Sequence, residues 1–300
     1  MTITSPQLAA LSAEIAALAN SAATSLVAIT HKHRRLSGFY WRPDVVVSVS
    51  EALDAQRDDM VDVHTAAGDK IHGTVLGHDP GTDVVLLRVP AAGPVLPVTA
   101  SNGVQLGQAV VAAGRTPQGP TAALGFATLV GPAWRSMRGG DLSQRVLLDA
   151  RIPRAAEGSA VLDTAGSLLG MAVFGPRRRV VLIPAETVER SATELLAHGR
   201  IRHGYLGVSV QTVAMPATGG GDPKSYGLMV LGLDDKGPAA TAGILRGDIL
   251  TAVDGKAPHS ARALARMLPG SMIGQAKPVD LVRAGQATQV MVTIGDRPAK

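Results

Sequence analysis

Short runs of apolar residues, separated by segments that contain Gly, Pro or Asp, recur about every ten residues through the first two thirds of the chain. The runs include LVAIT (26–30), DVVVSVS (44–50), DVVLLRV (83–89), QAVVAAG (108–114) and RVVLIP (179–184). Short strands at this spacing are typical of all-β barrels and sandwiches. We therefore expect a mostly β domain over residues 23–198.

The first residues have a different, helical pattern. A helix over 1–22 would carry on one face the apolar residues Leu8, Leu11, Ile15 and Leu18, which follow one another at steps of three and four. This stripe is similar to a short heptad seam. It either packs on the chain's own barrel or docks a partner or a second copy of the chain.

The last third of the chain alternates strands with helices. Residues 185–198 predict a helix that closes the β domain, and a short polar segment follows it. Strands then resume, with one more helix over 260–268. This alternation predicts a separate small α+β domain over residues 203–296.

Composition excludes several classes of protein. The 300 residues are 46% hydrophobic and 18% charged, which is typical of a folded chain, and the absence of Cys excludes disulfides and thiolate metal sites. The net charge is +5, but basic and aromatic residues are not interleaved, so we expect no nucleic-acid partner. No apolar run approaches the roughly 18 residues of a membrane span, and no basic segment precedes an apolar one at the start. We expect a cytoplasmic protein without a cofactor.

Four ordered segments of the β domain resemble the HtrA/Deg family of trypsin-like serine proteases. They are LSGFYWRPDVVVSVS (36–50), VLGHDPGTDVVLLRV (75–89), QLGQAVVAAGRTPQGPTAALGFATLVG (105–131) and VLLDARIPRAAEGSAVLDTAGSLLGM (146–171). In the last third, GYLGV (204–208) and GPAATAGILRGDILTAVDGK (237–256) resemble the PDZ module of the same family. The resemblance implies a chymotrypsin-like double β-barrel followed by a PDZ domain.

The same resemblance locates the residues that would cut a peptide bond. Serine proteolysis needs a nucleophilic Ser, a His that takes its proton and an Asp that orients the His. Here the His position holds Glu51, the Ser position holds Glu157, and only Asp83 is retained. Because the nucleophile and the base act as a unit, losing both predicts a catalytically inactive protein. The alternative from the enzyme class is a hydrolase that uses the displaced Ser159.

If the fold holds, three carboxylates converge at this site. Like charges about 4 Å apart repel by about 4 kcal/mol at an effective dielectric constant of 20. One carboxylate is therefore protonated, or a cation neutralises the group. The sequence offers an alternative in a divalent metal ion, but our hypothesis is an arginine-filled site supplied by Arg151, Arg154, Arg177, Arg178 and Arg179.

A second site is implied by the PDZ resemblance. The family holds the C-terminal carboxylate of a peptide in a loop that matches Tyr205, Leu206, Gly207 and Val208. Backbone N–H groups in such a loop point at the carboxylate, and the peptide adds as a strand. The facing helix supplies Leu264, Met267 and Leu268, so we expect a hydrophobic terminal residue.

These expectations combine into one function. The sequence predicts a non-enzymatic HtrA-like pseudoprotease that binds protein C-termini or extended segments as a scaffold, adaptor or chaperone-like subunit. We expect it to form a homo-oligomer or to join a larger complex. Besides the Ser159 hydrolase, a structural subunit docked through the Leu8–Leu18 helix remains an alternative.

Overall fold

The structure, a computed structural model, describes residues 6–98, 103–215 and 226–298. The chain divides into two compact units, Met1–Ile201 and Arg202–Lys300. Unit one contains two closed β-barrels of six strands each, and unit two contains an open five-stranded sheet with short helices. This architecture confirms the predicted fold class.

The first barrel closes in the order β1-β2-β3-β6-β5-β4, and all of its neighbouring strands are antiparallel. Its β-branched residues fill the interior, with Val27, Ile29, Val63 and Val85 all fully buried. The strands are β1 (Leu26–His31), β2 (Arg34–Arg42), β3 (Val45–Val49), β4 (Met60–His64), β5 (Lys70–Asp79) and β6 (Val84–Arg88).

The second barrel closes in the order β11-β14-β13-β12-β7-β8. A two-stranded ribbon, β9 (Trp134–Arg135) with β10 (Asp141–Leu142), leaves it between β8 and β11. The strands of the barrel are β7 (Ala109–Thr116), β8 (Gly119–Gly131), β11 (Arg145–Leu148), β12 (Ala160–Leu162), β13 (Leu168–Phe174) and β14 (Val180–Pro184). Because closure removes free edges, any substrate-like segment must bind in the cleft or on loops.

Three α-helices accompany the barrels: α1 (Pro6–Ala22), the short α2 (Ser50–Leu53) and α3 (Ala185–His198). Within the described residues, no helix has the length and apolar character that crossing a membrane requires. Helix α1 is only partly packed on unit one. Leu18 lies against the core, whereas Leu8 and Leu11 expose 68% and 52% of their surface, and Ile15 is half-buried.

A buried hydrogen-bond network holds α3 on the first barrel. The Asp79 carboxylate, 7% exposed, accepts from the hydroxyls of Thr82 and Ser191, each at 2.7 Å. Its other oxygen accepts from the backbone N–H groups of Gly81 and Thr82. A carboxylate this deeply buried is stable only when its acceptor sites are satisfied, so these donors tie α3 to the β5–β6 turn.

Unit two is built on the sheet β16-β17-β18-β19-β20. Among the residues that the structure describes, strand β16 lies at the edge of this sheet and pairs with β17 alone. The elements are β15 (Gly204–Tyr205), β16 (Val208–Ala214), β17 (Tyr226–Leu233), α4 (Pro238–Thr241), β18 (Ile249–Val253), α5 (Ala261–Arg266), β19 (Ala276–Arg283), β20 (Gln286–Thr293) and β21 (Gly295–Asp296). Helix α5 lies beside β16 and begins at Ser260, whose hydroxyl caps the Ala263 amide at 3.0 Å.

Replacing Ser191 with Ala should lower the free energy of unfolding by about 1–2 kcal/mol, because a buried carboxylate loses one donor. Urea unfolding followed by circular dichroism measures the change. Thr193→Ala on the same helix is the matched control, since Thr193 is exposed and donates only to Glu189 at 3.5 Å. Equal effects of the two substitutions would contradict the stabilising role assigned to the network.

Candidate functional site

The cleft between the barrels is assembled from three turns. Glu51 lies in α2, directly after β3. Asp83 lies in the β5–β6 turn with a left-handed φ of 64°, which Asp tolerates better than most residues. Glu157 ends a 3₁₀ turn formed by Arg154–Ala156, ahead of β12.

Asp83 accepts hydrogen bonds from the neighbouring backbone of α2. Its Oδ1 accepts from the Glu51 amide at 2.7 Å, and the Asp83 carbonyl accepts from the Ser50 amide at 3.1 Å. Both contacts satisfy free N–H groups at the start of α2. Burial raises the pKa of Asp83 to about 7, and the carboxylates of Glu157 and Glu51 raise it as well. The hydrogen bond from the Glu51 amide and the charge of Arg138 act in the opposite direction and lower this pKa. The group that would orient a catalytic His therefore caps a helix.

Glu51 and Glu157 have separate partners. The exposed Glu51 pairs with Arg138 at 2.5 Å. The half-buried Glu157 accepts a hydrogen bond from the Phe174 amide at 2.8 Å. Burial raises the pKa of Glu157, whereas the Phe174 amide and the charges of Arg154 and Arg178 lower it. The three carboxylates are close enough to influence one another, but each has its own donor.

The cation that pairs with Glu51 was not predicted. Arg138 lies in the loop between β9 and β10, where no sequence motif marks it. In the described part of the chain, no three His, Asp or Glu residues are grouped so as to hold a metal ion.

The backbone before Glu157 differs from an oxyanion hole. The Ala156 amide donates to the Pro153 carbonyl at 2.9 Å, and the Glu157 amide donates to the Arg154 carbonyl at 3.3 Å. An oxyanion hole needs such N–H groups free and aimed at the developing negative charge. In a serine protease of this fold the oxyanion donors are the amides of the nucleophile position and of the residue two before it, here Glu157 and Ala155. The Glu157 amide is engaged inside the turn, so this donor is not available to a substrate oxygen.

The turn after Glu157 joins the two barrels. The Ser37 amide of β2 donates to the Glu157 carbonyl at 2.7 Å. Gly158 has a φ of 91°, and a Cβ atom there would lie 2.2 Å from the Ser37 carbonyl oxygen. Only glycine fits this approach, which explains why Gly158 follows Glu157.

Ser159 is buried, with 1% of its surface exposed. Its hydroxyl donates to the Ala156 carbonyl at 2.5 Å. A nucleophile must reach the substrate and give its proton to a base. The position of Ser159 therefore does not favour the displaced-nucleophile alternative.

A serine–histidine contact occurs elsewhere, next to Glu51. Ser50 Oγ lies 3.0 Å from His78 Nδ1. Burial lowers the pKa of His78, although the Ala55 carbonyl and the Asp59 carboxylate oppose this. The Asp83 carboxylate is directed to the Glu51 amide, and Ser50 is only 9% exposed. The Ser50 hydroxyl therefore lies beside a possible base, His78, but a substrate would have little access to it.

The loop that the PDZ resemblance implies as a carboxylate site lies between β15 and β16. Gly207 has a φ of 76°, and the Gly207 and Leu206 carbonyls accept from the amides of Asp234 and Ala239, each at 2.8 Å. Over residues 6–98, 103–215 and 226–298, the N–H groups of Leu206 and Gly207 have no acceptor. Two adjacent free amides in a fixed loop form a concavity suited to an anion.

The apolar residues predicted to line the groove are mostly buried. Leu206, Leu264 and Leu268 expose only 2–4% and belong to the core of unit two, whereas Met267 and Val208 are half-buried. Tyr205 directs its hydroxyl to Asp234 at 3.5 Å. The partly exposed surface beside β16 is therefore contributed by Val208 and Met267.

The two closed antiparallel barrels of unit one, with this cleft between them, define a trypsin-like peptidase fold. The open sheet of unit two, with its β15–β16 loop, defines a PDZ domain. Residues 36–171 match the family described as a trypsin-like peptidase domain, and residues 204–294 match the PDZ domain family. The chain thus combines a trypsin-like peptidase domain with a PDZ domain, and the relatives given next are DegP-like and DegS proteins.

Two curated relatives show the extent of this similarity. A probable periplasmic serine endoprotease, DegP-like, from Brucella suis biovar 1 (strain 1330) is 29% identical over 264 residues, covering 84% of this chain and 49% of that protein. The serine endoprotease DegS of Escherichia coli (strain K12) is 29% identical over 259 residues, covering 80% of this chain and 71% of DegS. The chain thus spans about half the length of the DegP-like relatives that it matches.

Solved structures share the fold at lower identity. A serine endoprotease from Yersinia pestis superposes with a TM-score of 0.71 at 22% identity, covering 99% of this chain and 100% of that one. The HtrA-type protease AlgW with a decapeptide gives a TM-score of 0.71 at 20% identity, covering 95% and 99% of the two chains.

The raised pKa of Asp83 predicts a pH-dependent stability. The folded state binds the Asp83 proton more tightly than the unfolded chain, whose Asp has its ordinary pKa of 3.8, so the contribution is present at low pH and is lost as pH rises toward 7. Each pKa unit corresponds to about 1.4 kcal/mol, so wild-type stability should fall by about 2–3 kcal/mol between roughly pH 5 and pH 8. Urea unfolding at each pH measures this.

Asp83→Asn keeps an acceptor for the Glu51 amide and tolerates the left-handed φ, so it should remove most of that decline. Asp69→Asn, at an exposed turn, is the matched control and should retain the decline. A wild-type decline that survives in Asp83→Asn would show that another group titrates.

Proposed function

We propose that this protein is a non-proteolytic member of the HtrA/Deg group that binds peptide C-termini through its PDZ domain and acts as a scaffold or adaptor. The observation that carries the proposal is the pair of free amides at Leu206 and Gly207, beside the open edge of β16. The curated relatives are named serine endoproteases, so the proposal separates this chain from them in activity and not in fold.

The chemistry of the cleft supports the absence of proteolysis. A carboxylate at position 157 cannot supply the alkoxide that attacks an amide, and the exposed, Arg138-paired Glu51 is a poor base for a hydroxyl. The Glu157 amide, which is one of the two oxyanion donors, is also engaged inside its own turn. The nucleophile, the base and one oxyanion donor are therefore all lacking at these positions.

The geometry of the PDZ unit supports peptide binding. A peptide that pairs with β16 would gain backbone hydrogen bonds along a free edge, and its terminal carboxylate would meet the Leu206 and Gly207 amides. The half-buried Val208 and Met267 would contact its last side chain. The AlgW protease, which shares this fold, has been solved with a decapeptide.

Helix α1 supports a place in a larger assembly. The exposed Leu8 and Leu11 continue the stripe that Leu18 begins on unit one. An apolar stripe that the chain itself leaves uncovered fits a docking helix better than a helix wholly packed on its own barrel.

The peptide site can be tested with fluorescent decapeptides that end in Ala-Val, Ala-Leu or Ala-Phe, each as the free acid and as the C-terminal amide. We expect the free acids to bind and the amides to bind at least roughly tenfold more weakly, because the carboxylate supplies the charge for the loop. Gly207→Ala should weaken free-acid binding by a similar factor, since its Cβ would lie 3.1 Å from Gly237 Cα. Fluorescence anisotropy measures the affinities.

Gly243→Ala is the matched control for this experiment. Gly243 also has a positive φ, of 83°, but its Cβ would meet nothing within 4 Å, so it carries the conformational strain without disturbing the loop. Equal affinities for free acids and amides would overturn C-terminal recognition.

A residual hydrolase is a second candidate function, because Ser50 lies in contact with His78. A serine-directed fluorophosphonate probe distinguishes the candidates. We expect no labelling above that of heat-denatured protein in the wild type, Ser50→Ala or Ser159→Ala, because both hydroxyls are buried. Wild-type labelling that disappears in either variant would identify the nucleophile and reject the non-enzymatic proposal.

A further inference from the structure

Two loops that flank Glu157 concentrate positive charge. We refer to Arg151, Arg154, Arg177, Arg178 and Arg179, all exposed, as the arginine cluster. Arg151 and Arg154 lie between β11 and β12, and the other three lie between β13 and β14. These five are among the 29 Lys and Arg residues of the chain, and they lie in two neighbouring loops.

The arginine cluster was predicted to neutralise the three carboxylates, but it does so only weakly. In the part of the chain that the structure describes, Arg151, Arg154, Arg177 and Arg179 form no ion pair and no side-chain hydrogen bond. Arg178 lies over the Phe174 ring, 5.2 Å from its centroid. The guanidinium groups are therefore left available to an external anion.

The two loops face a common point. Phe174, beneath Arg178, donates its amide to the Glu157 carboxylate, and the charges of Arg154 and Arg178 both lower the pKa of Glu157. Arg177 and Arg178 have φ values of 57° and 58°. Two consecutive side-chain-bearing residues in the left-handed region are unusual, and such strain is concentrated at binding sites.

A shallow recess with mixed polar and apolar lining adjoins the arginine cluster through Arg151. It has a volume of about 340 Å³ and is lined by Ala123, Leu124, Gly125, Phe126, Asp149 and Arg151. Leu124 and Phe126 each expose 46% of their surface. Asp149, the acidic residue of the recess, already accepts a hydrogen bond from the Phe126 amide at 2.6 Å. Apolar contacts and positive charge are thus side by side.

We propose that this cleft binds an acidic polypeptide segment, with its Asp or Glu carboxylates on the arginine cluster and its apolar side chains against Leu124 and Phe126. Arginine guanidinium groups bind carboxylates through paired hydrogen bonds, and charge complementarity selects the partner. This surface is distinct from the PDZ loop and does not depend on whether that loop is occupied.

A polypeptide fits better than a nucleic acid. Single-stranded nucleic acids bind on successive exposed aromatic rings, and Trp, Tyr and Phe together make up only 3% of this chain. At the cleft, Phe174 is already covered by Arg178. The exposed aliphatic and aromatic contacts of Leu124 and Phe126 suit alternating acidic and apolar side chains.

The test uses the full chain and a fluorescein-labelled peptide of alternating Glu and Leu, amidated at its C-terminus so that the PDZ loop is not engaged. We expect binding that weakens with added NaCl and is lost, by at least roughly tenfold, when Gln replaces Glu in the peptide. Arg154→Gln with Arg178→Gln should weaken binding by a similar factor, and so should Arg151→Gln with Arg179→Gln. Fluorescence anisotropy gives the affinities.

The matched control is Arg246→Gln with Lys256→Gln, which removes the same charge from exposed positions in unit two. It should change the affinity less than roughly threefold, because neither residue belongs to the arginine cluster and their general contribution to charge attraction is screened by salt. Equal binding of the Gln peptide, or an equal loss in the control, would overturn the proposal. Equally tight binding of single-stranded DNA that is lost in the cluster variants would replace it with unselective polyanion binding.

Discussion

The hydrogen bond from the Ser37 amide to the Glu157 carbonyl, 2.7 Å long, is the constraint around which the cleft is organised. It joins β2 of the first barrel to the turn before β12 of the second. Gly158 must follow at once, since any side chain there would collide with the Ser37 carbonyl. This frame consists of backbone contacts and does not depend on the side chain at position 157.

Within the frame, the three acidic residues are stabilised by separate donors. Asp83 accepts the Glu51 amide, Glu51 pairs with Arg138, and Glu157 accepts the Phe174 amide. Arg138 also lowers the pKa of Asp83, so this one cation acts on two of the three carboxylates, and Arg154 and Arg178 lower the pKa of Glu157. Within the described residues the arginine cluster forms no ion pair, so its guanidinium groups are free to act on molecules outside the chain.

The sequence predicted the architecture well because the information is local and repeated. Runs of β-branched residues between turn residues specified most of the strands, and the helix expected over 185–198 is α3. Strands β2 and β8 were harder to recognise, since Gly38 and Gly125 interrupt their apolar pattern for reasons that only the packing reveals: a Cβ atom at Gly38 would meet Val47 O, and one at Gly125 would meet Ala150 N.

The partners within the cleft could not be derived in the same way. Arg138, which contacts Glu51, lies in a loop far along the chain, and Ser50 meets His78 because the chain folds back on itself. No residue spacing in the sequence indicates either contact. From the sequence we expected the five arginines near Glu157 to pair directly with the carboxylates, because they lie in neighbouring segments. Instead, none of the five forms an ion pair in the described part of the chain, and Arg178 lies over the Phe174 ring.

The open edge of β16 has one more consequence. An unpaired edge strand is a template for pairing with any extended chain, and proteins usually protect such edges with Lys, Pro or bulges. Between Val208 and Ala214 the strand carries neither Lys nor Pro, and its protection is limited to a register shift in the pairing with β17 between Ser209 and Val210. A ligand seated on this edge would therefore also protect the protein against aggregation, so the solubility of the protein should depend on whether the groove is filled.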